Sequence, residues 1–424
     1  MKEEFLHFLW QYKLMDVNRL KSTINEDIQI VKSGTYNKNS GPDFLNAHLK
    51  INNQLWIGNV EIHVNSSDWY LHKHEEDENY DAVILHVVWQ HDVDVYMKNN
   101  IPLPTLILKD YVANNLLNNY QKLFSKEQRF IPCQNQLKEV DSFLFNNWLE
   151  RLYFERLKNK SVLIKELLTN SNNDYEAVLF QLLAKNFGLK VNGEAFLQLA
   201  QSFDFSILRK VRFNEIHLSA LLFGQAGFLD EEKEVLYQKE LKKEYKYLQH
   251  KYKLLPITNR KFQFFRMRPT NFPTIRIAQL VAIFHKQDNL FSKLMKLNKI
   301  EDFYTLLSVE VNDFWKSHYT FETQSKNSVK KLTKSFIDLL LINTIIPLKF
   351  VYEASRGEEA QENVLSLVKE LKSEKNSVIT KFLDLKIISK NAFESQALLE
   401  LKNTYCTKKR CLQCAIGNSL LKKT

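Results

Sequence analysis

The chain has 424 residues, 44% of them hydrophobic, with only 9 glycines and 8 prolines. That composition suits two or three globular domains and excludes collagen-like, low-complexity and disordered chains. The formal charge of +10 is unevenly placed: residues 1–110 carry 10 bases against 16 acids, and residues 111–424 carry 49 against 33. An acidic front followed by a basic region fits an acidic centre joined to a surface that attracts polyanions.

The opening, "MKEEFLHFLWQYK", has acids where a signal peptide has bases, and its apolar spacing predicts an amphipathic helix. From about 28 to 110 the pattern changes to strands: "IQIVKSG", "FLNAHLKIN", "QLWIGNVEIHV", "AVILHVVW" and "PTLILKDYV". The polar stretch 66–81 leaves room for a short helix. "AVILHVVW" is apolar on both faces, as a central strand is. After about 111 the pattern is helical. "SNNDYEAVLFQLLAKNFGL" has an Asn/Asp start cap and Gly188 at its end, and "VDSFLFNNWLERLYFERLKNKSVLIKELL" is a longer helix or helix pair. "FIDLLLINTIIPLKFV" is interrupted by Asp338, Asn343 and Pro347 and reads as a buried helix, with no membrane association expected. The reading is an α/β domain over 1–112, a large all-α region over 113–400, and a basic, cysteine-containing tail over 401–424.

Chemistry concentrates in the hairpin "SGPDFLNAHLKINNQLWIGNVEIHV". Asn52-Asn53 suits a two-residue turn, because asparagine tolerates positive φ. Such a turn alone sets Asp43 opposite Ile62. A three-residue loop, or one bulge at Gly58, shifts the pairing by one and sets Asp43 beside Glu61, and an irregularity of that kind is expected. Glu61 and His63 share a face, while Val60, Ile62 and Val64 point to the core. Two carboxylates at a strand mouth suit Mg²⁺ or Mn²⁺ and a phosphate oxygen. His63 would orient or deprotonate water, or ligate a softer metal.

Pro42-Asp43, 17 intervening residues and then Glu61-Ile62-His63 resembles the PD-(D/E)XK nuclease signature. The resemblance covers about the first 110 residues. It implies a restriction-endonuclease-like αβββαβ core with Asp43 and Glu61 as metal ligands. His63 stands where that superfamily has lysine, which puts the water-activating role in question; Lys50 and Lys73 are possible substitutes. The longer pattern "GPDF…GNVEIHVNSSDW" also resembles a bacterial family known only as a domain of unknown function.

Six of the 11 histidines lie between residues 48 and 91, interleaved with acids. "WYLHKHEED" offers a second metal set: His72, His74 and Asp77 with Glu61, for Zn²⁺ or Mn²⁺. His86, inside an apolar strand, reads as a hydrogen-bonded core residue. "YCTKKRCLQCAIG" places Cys406, Cys411 and Cys414 in a C-x4-C-x2-C array that, with Cys133, suits zinc or an iron–sulfur cluster. Four cysteines make no disulfide scaffold in a chain this long, so a reducing cytoplasm is expected.

"RKFQFFRMRPTNFPTIRIAQL" mixes Arg260, Arg266, Arg268 and Arg276 with phenylalanines, and Lys408, Lys409 and Arg410 lie in the tail; these are the candidate nucleic-acid contacts. No phosphate-binding glycine loop, dinucleotide motif, nucleophile elbow or HExxH helix occurs. The expectation is a metal-dependent phosphodiesterase acting on DNA or RNA. The alternatives are a non-catalytic nucleic-acid-binding protein with a degenerate nuclease fold, or a His/Asp metallohydrolase of a small substrate.

Overall fold

The computed structural model describes residues 1–125, 127–231, 234–257, 262–357 and 360–423. The chain divides into two compact units, Met1–Trp148 with Lys402–Thr424, and Leu149–Leu401. The first is built on a mixed sheet with helices; the second is largely helical.

The sheet has six strands: β1 (Ile28–Lys32), β2 (Thr35–Tyr36), β3 (Phe44–Ile51), β4 (Gln54–Asn65), β5 (Val83–Gln90) and β6 (Thr105–Ile107). Their order is β1-β3-β4-β5-β6, with β2 beside β3. β1, β3 and β4 run antiparallel in turn, while β5 and β6 extend the sheet in parallel. Between β4 and β5 come a one-turn helix, α2 (Asp68–Leu71), and a 3₁₀ turn, Glu78–Tyr80. The amino-terminal helix α1 (Glu3–Gln11) packs on β4 and is buried from Phe5 to Trp10. Phe5 stacks on Tyr120 of α3 (Asn114–Leu123) at 3.9 Å.

The expected hairpin turn is present. Ile51 pairs with Gln54, and Asn52 and Asn53 take φ of 48° and 68°, both in the left-handed region that asparagine tolerates. The ladder then slips by one residue between Phe44 and Ala47. The bulge therefore lies in β3, where Asn46 has φ 54°, and not at Gly58. Gly58 answers a different need: a Cβ there would stand 2.4 Å from Ile84 Cγ2 and 2.7 Å from Ala82 O, so the glycine lets β5 approach.

In the second unit Asp174 caps Tyr175–Phe187 by accepting from the N–H groups of Glu176 and Ala177. Gly188 follows as expected but with φ −69°, outside the left-handed region. Its constraint is space, since a Cβ would meet Asn192 C and O at 2.5 Å. Ser142–Asn170 is a single helix, of which residues 149–170 belong to this unit. Phe262 and Phe264 form no strand; they pack against Phe196, Phe228 and Phe272.

Lys334–Ser355 is long and apolar enough to cross a membrane, and 67% of its most apolar window is buried. It contains a π turn at Leu341–Ile345, just ahead of Pro347. Proline donates no N–H and its ring crowds the carbonyl four residues back, so the widened turn relieves the clash. Lys160 Nζ donates to Ile342 O in that turn at 3.1 Å.

Candidate metal centre

The β3 bulge puts Asp43 across from Glu61, and each carboxylate grips the other's strand. Asp43 N–H donates to Glu61 Oε2 at 3.0 Å, and Ile62 N–H donates to Asp43 Oδ2 at 3.0 Å. Glu61 and His63 share one face of β4, and both are buried. Parallel pairing sets His86 of β5 beside Glu61.

The His-x-His segment reaches the same place because the backbone turns between its histidines. Lys73 takes φ 59°, so His72 and His74 do not diverge as they would along a helix. The segment is anchored upstream. Asp68 accepts from Asn65 N–H at 2.9 Å, and Asp92 accepts from the Ser66 and Ser67 hydroxyls at 2.9 and 2.7 Å. His74 stacks on Tyr80 at 3.7 Å, with the buried Trp69 set edge-on at 5.4 Å.

The result is a group of three imidazoles and one carboxylate. His63, His72 and His74 each offer a ligand atom within 4.8 Å of the others. His72 Nδ1 lies 3.2 Å from His63 Nε2, and Glu61 Oε1 lies 3.5 Å from His63 Nε2 and 3.4 Å from His74 Nε2. Behind them, His63 Nδ1 lies 2.8 Å from His86 Nε2. With its proton on Nδ1, His63 donates to His86 and turns the Nε2 lone pair to the group, the outer-shell arrangement that fixes a ligating histidine. Burial holds His63 down to about 3 and His86 well below the usual range, so both are neutral imidazoles. Burial pushes the Glu61 carboxyl up.

A second group adjoins the first: Glu3 and His7 of α1 with Asp43. His7 Nε2 is 3.0 Å from Asp43 Oδ2 and 3.4 Å from Glu3 Oε1. Burial alone would lower His7, but the two carboxylates outweigh it and raise it to about 9. The hydrogen bond to His7 holds Glu3 below the usual carboxylate range.

Of the sequence candidates, Asp43, Glu61, His63, His72 and His74 come together. Asp77 does not join them: its Oδ1 accepts from Asn79 N and Nδ2 at 2.9 and 2.8 Å, capping the 3₁₀ turn. Lys50 and Lys73 are exposed, and among the described residues neither bonds to Asp43 or Glu61. His86 is the hydrogen-bonded core residue expected of it, while Glu3 and His7 were missed, although their i,i+4 spacing was a readable signal.

The four cysteines fall in the first unit, and the Cys133, Cys406 and Cys411 thiols each feel the charge of others in the set. Burial pushes Cys133 and Cys411 up to about 12. The Cys414 sulfur faces the N–H groups of Ile416 and Gly417 and the Trp148 indole. Gly417 has no room for a side chain, since a Cβ would stand 2.2 Å from Cys411 O.

The basic candidates are dispersed. Arg266, exposed, lies over Phe265; Arg268, Lys408 and Lys409 are exposed, and Arg410 donates to Gln413 Oε1 at 2.7 Å. Arg276 is buried inside the second unit instead of lying on its surface. Arg260 lies outside the described residues.

A family model described as "Protein of unknown function (DUF2851)" matches residues 3–377, and the chain belongs to that family. No curated protein matches, and no solved structure matches.

Proposed function

We propose that the first unit is a metal-dependent hydrolase of phosphodiester bonds, with Zn²⁺ or Mn²⁺ held by His63, His72, His74 and Glu61. The observation that carries this reading is the spacing of the donor atoms. Metal–nitrogen bonds of about 2.0–2.1 Å directed to the corners of a tetrahedron set their donors about 3.3–3.4 Å apart. Three of the six donor pairs, at 3.2, 3.4 and 3.5 Å, bracket that value; the three imidazoles lie within 4.8 Å of one another, and Glu61 is close to His63 and His74. Three imidazoles favour zinc or manganese over magnesium, which takes oxygen donors. A bound ion there would supply Lewis-acid polarisation and a more acidic water.

The remaining roles belong to the chain. His63 is a ligand on this reading rather than the water-activating base. Asp43 orients His7, and His7, protonated between Asp43 and Glu3, is placed to give a proton to a leaving oxygen. The nuclease resemblance draws support from the sheet order, with three antiparallel strands followed by a parallel pair and Asp43 and Glu61 on adjacent strands. DNA or RNA as substrate draws support from the basic excess after residue 110. Cys133, Cys406, Cys411 and Cys414 share the first unit, but no three of their sulfurs stand within 4.8 Å of one another, so the set is not pre-formed for zinc; a second site there, for zinc or an iron–sulfur cluster, is read by metal analysis and by absorbance near 400 nm.

The test is cleavage of labelled single- and double-stranded DNA and RNA, and of bis(p-nitrophenyl) phosphate, with Zn²⁺, Mn²⁺, Mg²⁺ or EDTA. Metal-dependent cleavage lost in both Glu61→Ala and His72→Ala supports the site. Cleavage of the small diester alone moves the substrate class to small molecules. Salt-sensitive nucleic-acid binding without any cleavage sinks the hydrolase and leaves the binding protein.

A further inference from the structure

The second unit contains a cavity of 390 Å³ lined by Arg268, Arg276 and Lys331 and by the hydroxyl residues Thr270, Thr333 and Ser335. Among the described residues no acid lines it. Lys330 also borders it, but its ammonium is engaged by Trp315 O, His318 O and the Ser325 hydroxyl.

Arg276 is the unusual member. It is 6% exposed and stands 3.5 Å over the Phe336 ring. Nη1 donates to Gln279 Oε1 at 2.8 Å and Nη2 to Asn271 Oδ1 at 2.6 Å, both neutral acceptors. Its Nε is buried with no hydrogen-bond partner. No carboxylate pairs with it among the described residues. A buried cation without an anion is costly, and the cost falls when an anion occupies the space it faces. Burial already holds Arg276 down to about 10.

We infer that this cavity binds the phosphate group of a nucleotide-sized ligand. Guanidinium forks match phosphate oxygens in pairs, and hydroxyls supply further donors. Arg268 and Lys331 are exposed at the rim, where they can draw an anion in. The volume exceeds what a phosphate ion needs and lies within the range of about 300–1,000 Å³ usual for small-ligand sites. Phe336, Ile275 and Leu339 give the rest of such a ligand an apolar wall. The same chemistry is offered by a free mononucleotide and by the 5′-phosphate end of a strand. The inference stands apart from the metal centre and survives its failure.

The experiment is titration calorimetry on the full chain in EDTA, which removes metal-mediated phosphate binding. The probes are deoxyadenosine, its 5′-monophosphate, and a tetranucleotide with and without a 5′-phosphate. Binding is expected only for probes carrying the terminal phosphate, weakened at least about tenfold in the exposed-site double variant Arg268→Glu/Lys331→Glu. Arg276→Gln should weaken it as well, with the exposed-site variant covering the case in which that protein does not fold. Binding of the monophosphate assigns the site to free nucleotides, and binding of the phosphorylated tetranucleotide alone assigns it to strand ends. Absence of binding by every phosphate probe, or equal affinity in wild type and the double variant, overturns the proposal.

Discussion

Zinc should stabilise the first unit by an amount that the donor spacing makes sizeable. Three donor contacts, His63–His72, His63–Glu61 and His74–Glu61, already stand near tetrahedral separation, and the three imidazoles lie within 4.8 Å of one another, so binding requires mainly that Glu61 close on the imidazoles. At a free ion concentration about 100 times the Kd, linkage adds about 2.7 kcal/mol. For a unit of roughly 170 residues, 1 kcal/mol moves the midpoint by about 2–4 °C, so the expected rise is about 5–10 °C. The assay is tryptophan-monitored thermal unfolding in EDTA and in buffered zinc. Trp10, Trp56, Trp69, Trp89 and Trp148 lie in this unit and only Trp315 in the other, so the signal reports mainly the relevant transition. His72 is exposed, so His72→Ala should match the wild-type midpoint in EDTA and lose most of the zinc-induced rise. An equal rise in His72→Ala and Glu61→Gln, or no rise in wild type, would refute the four-donor centre.

Three further outcomes are expected. Gly224→Ala would place a Cβ 2.2 Å from the Tyr245 ring and should lower the second unit's urea stability by about 1–3 kcal/mol, read from the shift in midpoint. Lys160 is held down to about 7 by burial, with the Arg156 cation adding to the effect. Between that value and 10.5 the unfolded chain keeps a proton that the folded chain has released, so stability rises with pH. Lys160→Met should remove that rise in urea titrations from pH 6.5 to 10, and an unchanged slope would show that another group carries it. In metal-free protein at pH 8, Cys133 and Cys411 should alkylate about a thousandfold more slowly than in urea, because burial suppresses their thiolates; mass spectrometry of the labelled peptides reads this.

What could be read from sequence was local. The Asn52-Asn53 turn, the run of strands and the shared face of Glu61 and His63 follow from φ preference and the period of two. The meeting of Asp43 and Glu61 was expected from an irregular ladder, but its location was not. Gly58 drew attention as a glycine in a strand, while the extra residue sits at Asn46, another residue that accepts positive φ. The apolar strand marks His86 as a hydrogen-bonded core residue, and it is one; the identity of its partner, His63 on the neighbouring parallel strand, is what no local pattern encodes. Asp77 was grouped with the histidines by proximity in sequence, yet a carboxylate two residues before an available N–H caps a turn. Arg276 illustrates the same limit: one helical position decides whether a guanidinium meets solvent or a Phe336 ring.

The first unit is discontinuous in the chain, and this orders events at the ribosome. Residues 402–424 supply three of its four cysteines and the helix Ala415–Leu421, which packs on α3, where Asn119 Nδ2 donates to Leu421 O at 3.4 Å. The sheet and Cys133 leave the exit tunnel first, and Leu149–Leu401 must be synthesised before the closing segment exists. At about 5–20 residues per second that interval is roughly 13–50 s. For that time a nascent chain has all the histidines and carboxylates of the centre, only one of the four cysteines, and none of the helix that packs on α3. A metal at the histidine centre would need only segments made before residue 149, whereas one at the cysteines would also need Cys406, Cys411 and Cys414.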